Sequence, residues 1–235
     1  AAAQVLVNQA GYDTGAPKAF VVQANFTAAD ARYTVVDEDG AAVAEGSLPA
    51  PGRITGAYGS DWGHEYYRQD FSPVDAPGRY RVRVTLDGLE TESWPFEVAP
   101  DRLWNAAARP GYRFFWYQRC GMEIPGFHGA CHLDDSIGPD GKTQFSVTGG
   151  WHDAGDYNKY HNAPYLHGIA RAYGMRPAAF DALRPEGEEG FWQEILWGGE
   201  HVRRMVMDDG SSFGSITSGY GFWGPPELET DNLPG

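Results

Sequence analysis

Two aspartates in the middle of the chain stand in a setting that suits the activation of a water molecule. Asp153 and Asp156 lie three residues apart within residues 149–160, and His152 directly precedes the first of them. Two ionised carboxylates that converge on one point can hold a water molecule and remove its proton. The same residues also fit a simpler interpretation, in which one aspartate caps a helix and the other is solvated.

The segments on either side of the aspartates predict how the chain would position them. Gly149 and Gly150 allow a sharp backbone turn on arrival. An apolar pattern of helical period follows and predicts a helix from about residue 157 to residue 173. Acidic groups at that end of a helix are kept ionised by the positive end of its dipole. We therefore expect both carboxylates to be charged at the start of this helix.

The only two cysteines and two nearby histidines form a second group with possible chemistry. Cys120 and Cys131 lie eleven positions apart, His132 follows the second cysteine, and His152 precedes Asp153. Two thiolates and two imidazoles make a closed tetrahedral zinc set, whose metal would be structural because no position is left for substrate. A single disulfide is the alternative, since the chain has no CxxC pair and secreted proteins oxidise their thiols. Spacing alone favours the disulfide and leaves the zinc site as the alternative.

The overall charge restricts the partners that the chain could bind. It has 235 residues, 18 basic and 32 acidic, and a formal net charge of −14. Such a balance argues against nucleic acid or an anionic membrane surface as a partner, and it suits a neutral or cationic polysaccharide. No apolar run approaches the ~20 residues of a membrane span. Residues 1–4 show no basic and apolar leader, so we expect any secretion signal to have been removed or to lie outside the given sequence.

The first hundred residues have the pattern of a β-sandwich. About seven short runs of alternating residues, divided by turn signals such as Asp39-Gly40 and Asp87-Gly88, predict an immunoglobulin-like domain over residues 1–98. Trp62, Tyr66 and Tyr67 could bind carbohydrate if they were exposed. We favour a supporting module, because alternating aromatic residues in strands usually pack inward.

The period changes after Pro100, where an all-α domain is predicted over residues 99–235. Helices are expected at about 101–118, 157–173 and 190–207, and a loop of nearly forty residues separates the first two. Structureless loops of that length in compact domains are usually functional. This loop carries both cysteines and leads into the aspartates.

Two segments resemble a known family of enzymes. Residues 149–160, Gly-Gly-Trp-His-Asp-Ala-Gly-Asp-Tyr-Asn-Lys-Tyr, closely resemble the nucleophile-water motif of the family 9 glycoside hydrolases, which are mostly cellulases. Residues 7–12, Val-Asn-Gln-Ala-Gly-Tyr, resemble the start of the immunoglobulin-like domain in one branch of that family. The resemblance implies an (α/α)6 barrel and an inverting mechanism. It also implies that Asp156 is the catalytic base and that Asp153 helps to hold the water.

The same resemblance bears on the metal ligands. In zinc-bearing family 9 enzymes the positions that match Cys120, Cys131, His132 and His152 hold a structural zinc ion, which favours zinc over the disulfide. His128 is a spare candidate ligand. Many family members also bind calcium, and residues 226–231 offer oxygen ligands without the spacing of a known calcium loop.

The resemblance implies a secreted, inverting β-1,4-glycosidase that acts on cellulose or a related β-glucan. A barrel of twelve helices needs more than the three predicted ones, so we expect the remainder of the catalytic domain, with a glutamate as proton donor, outside these residues. The alternatives are an exo-acting β-glucosidase or glucosaminidase and a non-catalytic, zinc-stabilised carbohydrate-binding protein. Five aromatic residues are the candidate sugar platforms: Trp151, Tyr157, Tyr220, Phe222 and Trp223.

Overall fold

The chain divides into two compact units, which are described separately. In the computed structural model, contacts between residues separate Ala1–Ala107 from Ala108–Gly235. The described residues are 1–56, 61–133, 140–143, 145–153, 157, 159–183, 189–214 and 224–228.

In the first unit, the described residues form ten strands in two sheets. One sheet has the order β1-β3-β7-β6, and the other has the order β2-β10-β8-β4-β5, with β9 paired to β8. All pairs are antiparallel except β2 with β10. The strands are β1 Ala3–Leu6, β2 Tyr12–Asp13, β3 Ala19–Ala24, β4 Ala31–Val36, β5 Ala42–Ser47, β6 Gly52–Arg53, β7 Glu65–Asp70, β8 Gly78–Leu86, β9 Leu89–Glu92 and β10 Phe96–Ala99.

Inward-facing side chains of both sheets form one core, which confirms the predicted sandwich. Alternate residues of β3 and β8 are buried, as the period of a half-buried strand requires. Each large apolar side chain in this core contributes about 1.5–3 kcal/mol by leaving water. The central members are Phe20, Val22, Val35, Tyr67, Val82, Val84, Leu86 and Val98.

The aromatic residues of this unit divide between core and surface. Tyr67 is 1% exposed, and its hydroxyl accepts a hydrogen bond from the amide of Ala28. Tyr66 is partly buried, whereas Trp62 is 50% exposed. The expectation of inward packing therefore holds for Tyr67 and fails for Trp62.

Within the described part of the second unit lie most of helix α1 and three further helices. They are α1 Arg102–Tyr117, α2 Ala163–Met175, α3 Pro177–Asp181 and α4 Phe191–Arg204. Helix α2 packs against α4, and Tyr112, Phe180 and Phe191 form an aromatic cluster between helices. Helix α3 was not predicted, and a 3-10 turn at Pro226–Leu228 completes the described elements.

Helix α2 begins six residues later than the sequence pattern predicts. Tyr157 has a φ of +57°, which lies outside the helical region, and the first helical residue is Ala163. Pro164 stands in the first turn, where a proline lacks no needed hydrogen bond. The prediction that Asp153 stands at the start of this helix is therefore wrong, because the first helical residue comes ten positions after it.

Candidate active site and metal centre

The two cysteines and two of the histidines converge in the second unit. The ligand atoms of Cys120, Cys131, His132 and His152 all lie within 4.8 Å of one another, and all four residues are buried. The Sγ atom of Cys120 is 3.3 Å from Nδ1 of His132, and the Sγ atom of Cys131 is 3.2 Å from Nε2 of His152. The structure therefore brings together the four residues that the sequence analysis named.

A short antiparallel bridge explains why the distant parts of the long loop meet. Arg119 pairs with Trp151, the amide of Cys120 donates to the carbonyl of Gly150 at 2.9 Å, and the amide of His152 donates to the carbonyl of Gln118 at 2.9 Å. These bonds set His152 beside Cys120 independently of any ion. The end of helix α1 thus supplies the backbone partner for the segment that carries the aspartates.

The distances fit a tetrahedral metal ion better than a disulfide. The two Sγ atoms are 3.8 Å apart, and both thiols are free. A disulfide requires about 2.05 Å. Two thiolates that each bind zinc at about 2.3 Å with tetrahedral angles are separated by about 3.8 Å. The cluster can therefore bind a metal without rearrangement of its sulfur atoms.

The protonation of the cluster also favours metal ligation. Burial lowers the pKa of His152, which keeps its imidazole neutral. A hydrogen bond with Cys120 lowers the pKa of Cys131. Neutral imidazole and thiolate are the forms that bind a metal. His128 lies outside the four-residue cluster, and its Nδ1 is 2.7 Å from the carbonyl of Gly129.

Trp151 is a packing residue and does not offer a surface for sugar stacking. It is 1% exposed, its ring packs against Phe115 at 5.3 Å between centroids, and its Nε1 donates to Oε1 of Glu194 at 2.5 Å. A Cβ atom added at Gly198 would lie only 2.0 Å from the nearest carbon of the Trp151 ring. The structure therefore corrects the expectation that Trp151 is a sugar platform.

The carboxylate that holds Trp151 belongs to a buried ion pair. Arg119 is 2% exposed and Glu194 is fully buried, and their charged groups are 3.0 Å apart. The guanidinium lies 4.5 Å from the ring centre of Trp116 and 4.9 Å from that of Trp197. Burial raises the pKa of Glu194, and the ion pair with Arg119 opposes this effect. Removing Arg119 would leave the buried carboxylate of Glu194 without its compensating charge.

The glycine pair makes the turn that the sequence predicts. Gly149 has a φ of +97° and Gly150 a φ of +70°. A Cβ atom at Gly150 would collide with the side chains of Asn162 and His201, so only glycine fits there. Trp197 on α4 donates from its Nε1 to the carbonyl of Gly150 at 2.8 Å. The turn is thereby fixed against α4.

Asn162 joins the start of helix α2 to the same segment. Its Oδ1 accepts a hydrogen bond from the amide of Trp151 at 2.8 Å, and its Nδ2 donates to the Trp151 carbonyl at 3.3 Å. Asn162 is fully buried. The backbone two residues before Asp153 is therefore held by both α2 and α4.

Asp153 accepts a hydrogen bond from helix α2. The hydroxyl of Tyr165 donates to Oδ1 of Asp153 at 2.6 Å. Tyr157 is partly buried, and its ring stands edge-on to that of His152 with 5.1 Å between centroids. Four candidates from the sequence analysis lie outside the described residues: Asp156, Tyr220, Phe222 and Trp223.

Sequence reasoning missed the residues that support the aspartate segment. Glu194 carried a signal, since it shares the buried face of α4 with Phe191, Ile195 and Gly198 at helical spacing. An acidic residue on such a face needs a buried partner. Arg119, Asn162 and Tyr165 carry no comparable pattern in the sequence.

Comparison with known families identifies both units. Residues 1–88 match the cellulase N-terminal ig-like domain, and residues 104–234 match glycosyl hydrolase family 9. The chain belongs to glycosyl hydrolase family 9. The family 9 match contains the four-residue cluster and both aspartates. The resemblance and the fold class inferred from the sequence, an immunoglobulin-like domain followed by part of an (α/α)6 barrel, are confirmed.

Known relatives of this family 9 chain are longer than it is. A cellodextrinase from Butyrivibrio fibrisolvens is 30% identical over 92% of the chain and 40% of its own length. A thermostable endoglucanase from Alicyclobacillus acidocaldarius shares the fold, with a TM-score of 0.72, 24% identity, and coverage of 98% of this chain and 43% of its own. AaCel9A, solved with a cellobiose-like isofagomine, has a TM-score of 0.66, 25% identity, and coverage of 90% and 39% respectively.

Among the described residues, no helix combines the length and the apolar composition that crossing a bilayer demands.

Proposed function

We propose that this chain supplies the water-activating aspartates of an inverting β-1,4-glycosidase. The observation that carries the proposal is the family 9 match over residues 104–234, which contains the Asp153–Asp156 pair. The anchored backbone before Asp153 supports it, because a reacting group must be held in place to be effective.

In the proposed mechanism, Asp156 removes a proton from a water molecule that Asp153 helps to hold. The water attacks the anomeric carbon from the face opposite the leaving group, so the configuration inverts. A carboxylic acid on the other side of the bond protonates the leaving oxygen, at roughly 6.5–9.5 Å from the base in inverting enzymes. We assign no glutamate of this chain to that role.

The test is the substitution Asp156→Asn in the full-length enzyme. The amide has nearly the same size and no basicity, so the fold should persist while the rate falls by at least about 10²–10⁴-fold. Azide should restore part of the activity of this variant and give an azide adduct of inverted configuration. A small anion can attack without a base.

Two further results would contradict this assignment. Proton NMR of the first product from a β-linked substrate should show the α-anomer, and a β-anomer would mean retention. Full activity of Asp156→Asn with an intact fold would remove Asp156 from the mechanism. No hydrolysis by the full-length wild type would favour a non-catalytic, zinc-stabilised carbohydrate-binding protein.

The substrate class that we propose is cellulose or a related β-glucan. Its support is that the relatives include a cellodextrinase and an endoglucanase, and that AaCel9A was solved with a cellobiose-like ligand. An exo-acting glucosidase or glucosaminidase is the second candidate, because the net charge of −14 suits a cationic amino sugar. Reducing-end assays on cellulose, mixed-linkage glucan and chitosan oligomers distinguish these substrates. We propose Tyr157, Tyr220, Phe222 and Trp223 as sugar contacts.

We further propose that the cluster of Cys120, Cys131, His132 and His152 holds a structural zinc ion. The support is the donor set, since two thiolates and two imidazoles suit zinc and close its coordination. Such a site would hold the loop beside Asp153 and take no part in the chemistry. Calcium at residues 226–231 and secretion of the protein are also proposals. Within that calcium segment the structure describes residues 226–228.

A further inference from the structure

We propose that Tyr165 is a positioning residue that orients the Asp153 carboxylate toward the water, an inference that rests on the proposed function. The observation is the 2.6 Å hydrogen bond from the Tyr165 hydroxyl to Oδ1 of Asp153. A bond of that length to a carboxylate is charge-assisted and sets the plane of the acceptor. Oδ2 of Asp153 is then the oxygen presented to the water.

The placement of Tyr165 follows from the anchoring of helix α2. Asn162 precedes the helix and binds both the amide and the carbonyl of Trp151. Tyr165 comes three residues later, so it lies one turn along on the same face of the chain. Asp153 lies two residues after Trp151. The two hydrogen bonds from Asn162 to the Trp151 backbone therefore fix Tyr165, the donor, relative to Asp153, the acceptor.

The hydroxyl of Tyr165 is suited to remain a donor. The hydrogen bond to Asp153, together with burial, raises the pKa of Tyr165 to about 12. The phenol is therefore uncharged at neutral pH and does not repel the carboxylate of Asp153. Tyr165 is 37% exposed, so removing its hydroxyl leaves the core untouched.

The test is Tyr165→Phe in the full-length enzyme, assayed on a cello-oligosaccharide. Misplacing a reacting group costs up to about 10²-fold, and we expect kcat to fall about tenfold with KM unchanged. The melting temperature should stay at the wild-type value. A purely structural role would move the melting temperature, and a sugar contact would move KM.

The matched control is Tyr173→Phe on the same helix. The Tyr173 hydroxyl also donates to a carboxylate, Oδ1 of Asp181, at 3.1 Å. This variant loses the same kind of bond away from Asp153, so its kcat should equal that of the wild type.

A double-mutant cycle with Asp153→Asn tests whether Tyr165 acts through Asp153. The tenfold effect should shrink toward unity in the Asp153→Asn background, because the two residues then no longer act as a pair. The inference is overturned if Tyr165→Phe keeps the wild-type kcat, or if its effect is the same in both backgrounds. Loss of activity in Asp156→Asn alongside wild-type behaviour of Tyr165→Phe would reject this inference and keep the proposed function. Full activity of both variants would reject the two together.

Discussion

His201 shows how a single buried side chain links the glycine turn to the stability of the second unit. It is fully buried on α4, and its Nδ1 donates to the carbonyl of Val147 at 3.0 Å. Burial, with a smaller contribution from the charge of Lys159, lowers the pKa of His201 to about 3. The imidazole is therefore neutral in the folded protein and becomes protonated on unfolding below pH 6.5.

The sign of the resulting pH dependence is fixed by these two values. Between pH 6.5 and pH 3 the unfolded state binds a proton that the folded state does not. The free energy of unfolding therefore decreases as the pH is lowered, by at most about 1.4 kcal/mol per pH unit. We expect His201→Gln to lose this part of the slope in urea unfolding measured from pH 4 to pH 8. The control His167→Gln changes an exposed histidine of α2 and should keep the wild-type slope. Equal slopes for the wild type and His201→Gln would contradict the prediction.

Residue types and their order predicted the four members of the cysteine and histidine cluster, because metal ligands must be of these types. They did not predict that Trp151 is buried. A tryptophan beside the proposed catalytic motif can either stack on a sugar or pack in a core. The outcome depends on Gly198 and Glu194, which lie more than forty positions away. Long-range packing of this kind leaves no periodic trace in the sequence.

Residues 149–151, which lead to the aspartates, pack against helix α4. Gly198 lets the Trp151 ring approach the helix backbone, while nothing lies within 4 Å of a Cβ atom built at Gly199. We therefore expect opposite effects from two neighbouring alanine substitutions. Gly198→Ala should destabilise the protein by about 1–3 kcal/mol through overpacking. Gly199→Ala should be neutral or stabilising by up to about 1 kcal/mol, since alanine favours the helix.

Activity should follow the same division, because a displaced Trp151 moves the backbone that leads to Asp153. Gly198→Ala should lower kcat, and Gly199→Ala should retain it. Measurements of thermal unfolding and kcat on the two variants test these expectations. Equal stability of both would show that Trp151 can move without cost.

The boundaries of the elements were predicted less well than their existence. Helices α1 and α4 were found with small shifts at their ends, since both carry a strong apolar period. Helix α2 was predicted to start too early because Tyr157 and Tyr160 continue its apolar pattern in front of Ala163, its first helical residue. The side chain of Asn162 bonds to Trp151, which places the helix start after residue 162. That contact depends on the tertiary fold.

At the scale of the whole chain, composition and motif order gave the class of fold correctly. The predicted boundary at residue 98 stays a prediction, with the contact division at Ala107 and the family matches at 88 and 104 on either side of it. The zinc ion also stays a prediction. It would affect a large part of the second unit, because the cluster joins residues that are spread along the chain from 120 to 152.

Metal removal should therefore loosen one part of the protein and spare another. Structural zinc contributes folding free energy directly, so chelation should increase hydrogen exchange in peptides around residues 118–132 and 149–153. Peptides from β3 and β8 should keep their protection, because their core contains no cluster residue. Elemental analysis should find one zinc per chain in the wild type and in His128→Gln, whose side chain lies outside the cluster, and less in His132→Gln. Equal zinc in all three proteins, or a disulfide between Cys120 and Cys131 in the purified enzyme, would contradict the assignment.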